Sequence, residues 1–233
     1  MERHRVARAL QDIVGEKMAE TKQIIFDLDG TLIDSAPDLR AAMNVALGQM
    51  GRAPLDLKTV IGFIGNGVEK LVARSLVATG GSDAHTHARA LDLFLQAYAK
   101  DKVNLTKPFP GVLECLDRLK GAGIPMAVCT NKPHGPANEI CALMGLDGYF
   151  DVIAGAQPHI PKKPDPAPLL AVIDALGGER AGTLYVGDSA VDYETARAAQ
   201  VPFRLYAHGY LNSPLPDLSA ENRFDDWARV DFS

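Results

Sequence analysis

Gln23-Ile24-Ile25-Phe26-Asp27-Leu28-Asp29-Gly30-Thr31 is the stretch on which the fold turns. A short apolar run that ends in Asp and Gly has the pattern of a buried strand running into a loop. Two residues apart in extended backbone, Asp27 and Asp29 point the same way. Gly30 lets the chain turn sharply just beyond them. Read alone, the stretch is also a plain solvated turn, because Asp-Gly is a common turn dipeptide.

Outward from this strand the pattern changes twice. From about Ser35 to Lys107, apolar residues recur at three- and four-residue spacing, which predicts helices over 37–50, 66–78 and 84–100 with no strand between them. Pro108-Phe109-Pro110-Gly111 marks a boundary. Beyond it, helices predicted over 112–122, 135–144, 166–176 and 190–199 alternate with strands over 124–129, near 150–154, over 183–187 and over 202–206. That alternation implies a parallel sheet with helices on both faces. The first strand belongs to the same sheet, so the helical block is an insertion. The expected organisation is an α/β core, Rossmann-like, over 21–34 and 108–233, with a helical cap over 35–107. Residues 1–20 read as a polar, partly helical N-terminal extension (Val6, Leu10, Ile13 and Val14 fall near one face), and Met18 is a second candidate start. The tail from Leu211 onward is turn-rich.

Composition sets limits on partners. The formal charge is −5, which gives no attraction to nucleic acid or to an anionic membrane surface. An anionic substrate therefore has to be drawn by a local cluster of cations. No apolar run approaches the ~18 residues of a membrane span, and the charged N-terminus lacks an apolar signal-peptide core. Cys115, Cys129 and Cys141 are odd in number and have no C-x-x-C spacing, so they read as buried reduced thiols in a cytoplasmic protein, monomeric or homodimeric.

Four polar clusters stand at predicted strand ends: Asp27-Leu28-Asp29-Gly30-Thr31, Thr130-Asn131-Lys132, Lys162-Lys163-Pro164, and Gly187-Asp188-Ser189-Ala190-Val191-Asp192. Ligands of open parallel sheets gather beyond the carboxyl ends of the strands, so the four are expected to share one site. Paired carboxylates can divide labour between nucleophile and general acid. Asp188 and Asp192 share a face if a helix starts there, either as helix caps or as partners of the first pair. Several carboxylates in one place require a compensating cation, and hard oxygen ligands suit Mg²⁺. Backbone N–H groups and the hydroxyl at Thr130-Asn131 suit phosphate oxygens. Lys162 and Lys163 are equivalent on physical grounds alone.

The four clusters in this order resemble the haloacid dehalogenase superfamily of phosphohydrolases, over about Lys22 to Ala207. The resemblance implies an aspartyl-phosphate on Asp27, with Asp29 as acid and then base. It implies Mg²⁺ on the Asp27 side chain, the Asp29 backbone carbonyl and Asp188, with Asp192 in a supporting position. It places the phosphoryl group on Thr130 and the Asn131 backbone, and selects Lys163, directly before Pro-x-Pro, over Lys162. It makes the helical block a cap with hinges at 31–36 and 106–111, which usually accompanies small substrates.

Asp-Ser-Ala-Pro-Asp-Leu (34–39), Gly65-Asn66-Gly67 and Thr130-Asn131-Lys132-Pro133 narrow the resemblance to the phosphoglycolate phosphatases. The Gly-Asn-Gly turn then reads as the cap loop that meets a substrate such as 2-phosphoglycolate. Related phosphatases for sugar phosphates, amino-sugar phosphates or pyrophosphate share much of this pattern. Asp29 and Asp188 argue against haloalkanoate dehalogenation. A phosphosugar mutase would keep the same core, and an inactive binding protein would have lost one of the key groups, all of which are present. His134 reads as a helix-cap or surface residue, and Trp227 as tail packing against the core.

Overall fold

The structure, a computed structural model, describes residues 21–100 and 102–232. The lead-in expected over 1–20 lies outside the described residues. Six strands form one parallel sheet: β1 (Gln23–Phe26), β4 (Met126–Pro133), β5 (Val152–Ala156), β6 (Thr183–Gly187), β7 (Phe203–Tyr206) and β8 (Arg223–Phe224), in the order β5-β4-β1-β6-β7-β8. The chain leaves β1 for β4 and β5 on one side, then crosses to β6, β7 and β8 on the other. Loops leaving β1, β4 and β6 therefore converge at the carboxyl end of the central strand, which is where open α/β sheets bind ligands.

Alternation within the strands builds two cores. Ile24 and Phe26 of β1 face the same way as Met126 and Val128 of β4 and Leu184 and Val186 of β6, and pack on α5 (Val112–Gly121) and α6 (His134–Leu143). Ile25, Ala127, Cys129 and Tyr185 face the other way, onto α7 (Ala167–Ala175) and α8 (Ala190–Ala199). Strands buried on both faces explain why these segments are continuously apolar rather than alternating. All three cysteines are buried free thiols, as expected.

The helical block holds α1 (Ala36–Gln49), α2 (Leu57–Ile61), α3 (Val68–Ala78) and α4 (Ala84–Lys100). Helix α2 is an addition to the expected set. It is too short to show periodicity, and its Asp56 cap, which accepts from the Thr59 N–H at 2.7 Å, is its one local sign. The block is entered through β2 (Ile33–Asp34) and left through β3 (Lys107–Pro108), which pair antiparallel. Both lie inside the segments expected to be hinges. The buried Asp38 carboxylate clasps them by accepting from the Leu105 N–H and from the Thr106 N–H and hydroxyl.

The turn-rich tail closes the sheet from below. Strand β8 adds to β7, and Trp227, fully buried, packs against Phe26, Phe224 and Phe232. Truncating a buried aromatic of this kind removes its transfer free energy and leaves a cavity. Trp227→Ala is expected to lower the stability of the fold by about 3–5 kcal/mol, read as a shift of the urea unfolding midpoint at unchanged slope.

Candidate active site

Asp27 follows the last residue of β1, and its N–H is held by the Val186 carbonyl of β6 at 2.8 Å. It stands at the carboxyl end of this central strand, where it is buried. The turn that follows is tight. Gly30 has φ +89°, and a Cβ there would lie 2.3 Å from Asp188 Oδ2, so only glycine fits between the first cluster and the last.

Lys163 is the hub. Its Nζ donates to Asp27 Oδ1 at 2.9 Å and to Asp192 Oδ1 at 2.6 Å, with the Tyr185 hydroxyl at 2.7 Å and the Cys129 carbonyl at 3.0 Å. Burial alone would lower the lysine pKa, but Asp192 and Asp27 more than offset it and hold the ammonium charged. The two adjacent lysines point different ways: Lys162 reaches outward to Glu69 of α3 at 3.0 Å, in an exposed pair. The Lys163 backbone is tied in turn to Asn131, whose Oδ1 accepts from the Lys163 N–H and whose Nδ2 donates to the Lys163 carbonyl, both at 2.9 Å.

Asp192 serves both readings weighed for it. Its Oδ2 accepts from the Ser189 N–H while Ser189 Oγ accepts from the Asp192 N–H, a reciprocal cap on α8. Its Oδ1 faces Lys163. Burial pushes its carboxyl up, but Lys163 and the bonds from Ser189 and Tyr185 prevail and hold it below the usual range. Asp188 has no such cation. Its oxygens take the Thr31 hydroxyl at 2.7 Å and the Tyr210 N–H at 2.5 Å, and burial, then repulsion from Asp192 and Asp27, drives its pKa well up.

Asp27, Asp188 and Asp192 offer ligand atoms within 4.8 Å of one another. Lys163 pairs with two of these buried carboxylates, Asp27 and Asp192, and among the described residues no cation pairs with Asp188. An all-oxygen, acid-rich donor set of this kind fits a hard divalent cation. The Asp29 side chain stands apart from this group. Its Oδ1 accepts from Ser35 Oγ at 2.5 Å, and both its oxygens accept from Lys132 Nζ, at 3.0 and 3.1 Å. Ser35 and Lys132 thus hold the Asp29 carboxylate outside the group of Asp27, Asp188 and Asp192.

A cavity of about 70 Å³ opens over these groups. Asp27, Asp29, Thr130, Asn131, Lys132, Pro133 and Pro136 form its floor, and Leu39, Ile64, Val68, Leu71, Phe94, Leu95 and Tyr98 of the helical block form its roof. Of the expected cap loop, Gly65 and Gly67 line the cavity, and the Gly65 carbonyl accepts from Asn131 Nδ2 at 3.1 Å. Asn66 does not line it; its Oδ1 accepts from Arg74 at 2.8 Å. The strand that carries Thr130 runs on through Lys132 to Pro133, beyond its expected end at residue 129, because β5 continues to pair with it after an irregularity. Sequence reasoning missed the role of Lys132 and Tyr98. The first stood in a quoted cluster with nothing to separate it from a surface lysine, and the second lay among the apolar positions of a helix.

A model of the haloacid dehalogenase-like hydrolases matches residues 24–205. The chain belongs to this family, and within it to the phosphatases. It is 44% identical over 202 residues to the phosphoglycolate phosphatase of Cereibacter sphaeroides (strain ATCC 17025 / ATH 2.4.3), covering 86% of this chain and 92% of that one. Against the phosphoglycolate phosphatase of Rhodospirillum rubrum it is 44% identical over 216 residues, 90% and 89% of the two chains. The crystal structure of a predicted phosphoglycolate phosphatase from Haemophilus somnus 129PT superposes with a TM-score of 0.85 at 31% identity, covering 91% of this chain and 96% of the other. No helix of the described residues is long and apolar enough to cross a membrane.

Burial pushes the Asp27 carboxyl from the ordinary 3.8 up to about 6, against the pull of Lys163. A carboxyl raised on folding stabilises the native state below its unfolded pKa, and that contribution is lost as pH rises through the folded value. Asp188, raised in the same sense, adds to it. Chelator-treated protein is therefore expected to melt at a higher temperature near about pH 5.5 than near about pH 7.5. Asp27→Asn is expected to flatten that dependence, read by differential scanning fluorimetry.

Proposed function

We propose that this phosphatase is a magnesium-dependent phosphomonoester hydrolase that acts on 2-phosphoglycolate through an aspartyl-phosphate on Asp27. The observation that carries the reading is the position of Asp27. It lies on the cavity floor, its carboxylate is held by Lys163, and it sits among buried carboxylates that fit a divalent cation. The kinship with named phosphoglycolate phosphatases supplies the substrate.

In this reading Asp27 Oδ attacks phosphorus, the ester P–O bond breaks, and its electron pair leaves on the alkoxide. Asp29, on the cavity floor, takes up a proton as substrate binds and gives that proton to the alkoxide. A water then attacks the phosphorus, Asp29 takes its proton back, and the Asp27–phosphorus bond breaks to release inorganic phosphate. Thr130 and the Asn131 backbone seat the phosphoryl oxygens, and Lys163 offsets their charge. Mg²⁺ would be held by the Asp27 carboxylate, the Asp29 backbone carbonyl and Asp188, with Asp192 supporting, and would supply charge neutralisation at the phosphoryl group.

Residues 35–107 act as a cap domain on a core of 21–34 and 108–233, turning about the β2–β3 ribbon. The roof they place over the cavity excludes water from the phosphorylated aspartate until the cap opens.

The test of the substrate is a phosphate-release screen over small phosphorylated metabolites with Mg²⁺. 2-Phosphoglycolate is expected to show the highest kcat/KM, and a clear preference for another ester would refute the assignment while leaving the chemistry standing. The test of the nucleophile is Asp27→Asn, expected to lower kcat by at least about 10⁴-fold with the fold retained by circular dichroism. Borohydride trapping during turnover should convert Asp27 to homoserine, and label on any other residue would sink the intermediate. A chelator should abolish turnover of the unmodified enzyme, and added Mg²⁺ should restore it.

A further inference from the structure

The cavity has one cationic wall. Among the described residues that line it, Lys132 alone is positively charged. Lys132 is 6% exposed, and Leu39, Ile64, Leu71 and Phe94 surround the space above it with apolar surface. Burial alone would lower its pKa, but Asp29 and the Tyr98 hydroxyl more than offset this and keep it an ammonium.

Its three N–H donors are aimed at three atoms: the two Asp29 oxygens and the Tyr98 hydroxyl oxygen at 3.0 Å. Tyr98 accepts from Lys132 here, so its own O–H proton can go to another acceptor in the cavity. Lys132 also follows Thr130 closely on β4, and its N–H donates to Thr130 Oγ1 at 3.2 Å. A phosphoryl group seated at Thr130 would therefore carry the rest of a short ester toward the ammonium.

A neutral leaving group gains little from a buried charge. A second anion does, because in apolar surroundings it would otherwise bear the full cost of leaving water. We propose that Lys132 is the specificity-determining residue of this site. Its ammonium, presented together with the Tyr98 hydroxyl, binds the carboxylate of a phosphorylated hydroxy acid and so selects such esters over uncharged ones of the same size. The proposal rests on the reading of the cavity as the site of phosphoester hydrolysis. At rest Asp29 neutralises Lys132. An arriving carboxylate takes over the donor now given to Tyr98 and accepts a hydrogen bond from the tyrosine hydroxyl as well.

The experiment uses the full chain with Mg²⁺ and compares kcat/KM for 2-phosphoglycolate with that for ethyl phosphate, which has the same two-carbon skeleton without the carboxylate. The unmodified enzyme is expected to prefer 2-phosphoglycolate. In Lys132→Met that preference ratio should fall about 10- to 100-fold, mainly through KM, whereas Lys132→Arg should keep most of it. Equal loss on both esters would reduce Lys132 to a support for Asp29 and overturn the proposal, as would an unchanged ratio.

If Lys132→Met does not fold by circular dichroism, the unmodified enzyme decides, and a preference below about tenfold overturns the proposal. If the unmodified enzyme prefers another phosphorylated acid, the substrate reading fails, and the same ratio is taken on that acid and its uncharged analogue. Hydrolysis of uncharged esters alone, p-nitrophenyl phosphate among them, would overturn the role of Lys132 and leave the phosphatase chemistry intact.

Discussion

The ammonium of Lys163 joins parts of the chain that are far apart in sequence. It pairs with Asp27 at the end of β1 and Asp192 in the first turn of α8, and it touches the Cys129 carbonyl of β4 and the Tyr185 hydroxyl of β6. Asp27 and Asp192 are its two buried ion-pair partners. Two carboxylates in so dry a place would not both stay ionised, and removing one partner from a buried ion pair typically costs about 3–5 kcal/mol. The sheet topology brings the loops together, and the lysine makes their proximity tolerable. Asn131 keeps the lysine in place through two bonds to its backbone, so a residue at the end of β4 also orients the charge.

Much of this was legible before the structure. The strands and helices of the core carry their burial in plain form, as apolar runs bounded by Gly, Asp and Pro, and the helical insertion announces itself by a change of period at Ser35. The four polar clusters were visible because each follows such a run. What sequence did not carry was the partnering of side chains across the fold. Lys162 and Lys163 are adjacent and chemically identical, yet one faces the buried hub and the other pairs with Glu69 at the surface. Nothing local records which way each points. Lys132 was hidden for the same reason, and Tyr98 because an aromatic on a helix reads as core until its hydroxyl is seen to face a polar group. The double service of Asp192, as helix cap and as ion-pair partner, shows that a bland reading and a functional one need not compete.

Tyr210, just before the turn-rich tail, links regions that the sequence keeps apart. Its backbone N–H holds Asp188, while its hydroxyl donates to Asp34 at 2.6 Å and accepts from the Ala36 N–H at 2.9 Å. The Asp188 carboxylate and the entry to the helical block are thus fastened to one residue. The long gap between Tyr210 and the first cluster explains why no motif search would pair them.

The β2–β3 ribbon has a consequence for how such a molecule can change over evolutionary time. The ends of the inserted block are hydrogen-bonded neighbours, with Ile33 opposite Pro108 and Asp34 opposite Lys107. From the standpoint of the sheet, everything between them is a loop whose closure is already complete. Loop-closure entropy grows only slowly with length, by about 0.6 kcal/mol per doubling. The core can therefore carry a longer, shorter or unrelated insertion at this point almost without thermodynamic penalty. The groups at the strand ends, Lys132 among them, stay where the sheet put them, while the apolar roof and the Tyr98 hydroxyl above them can be exchanged like a cassette.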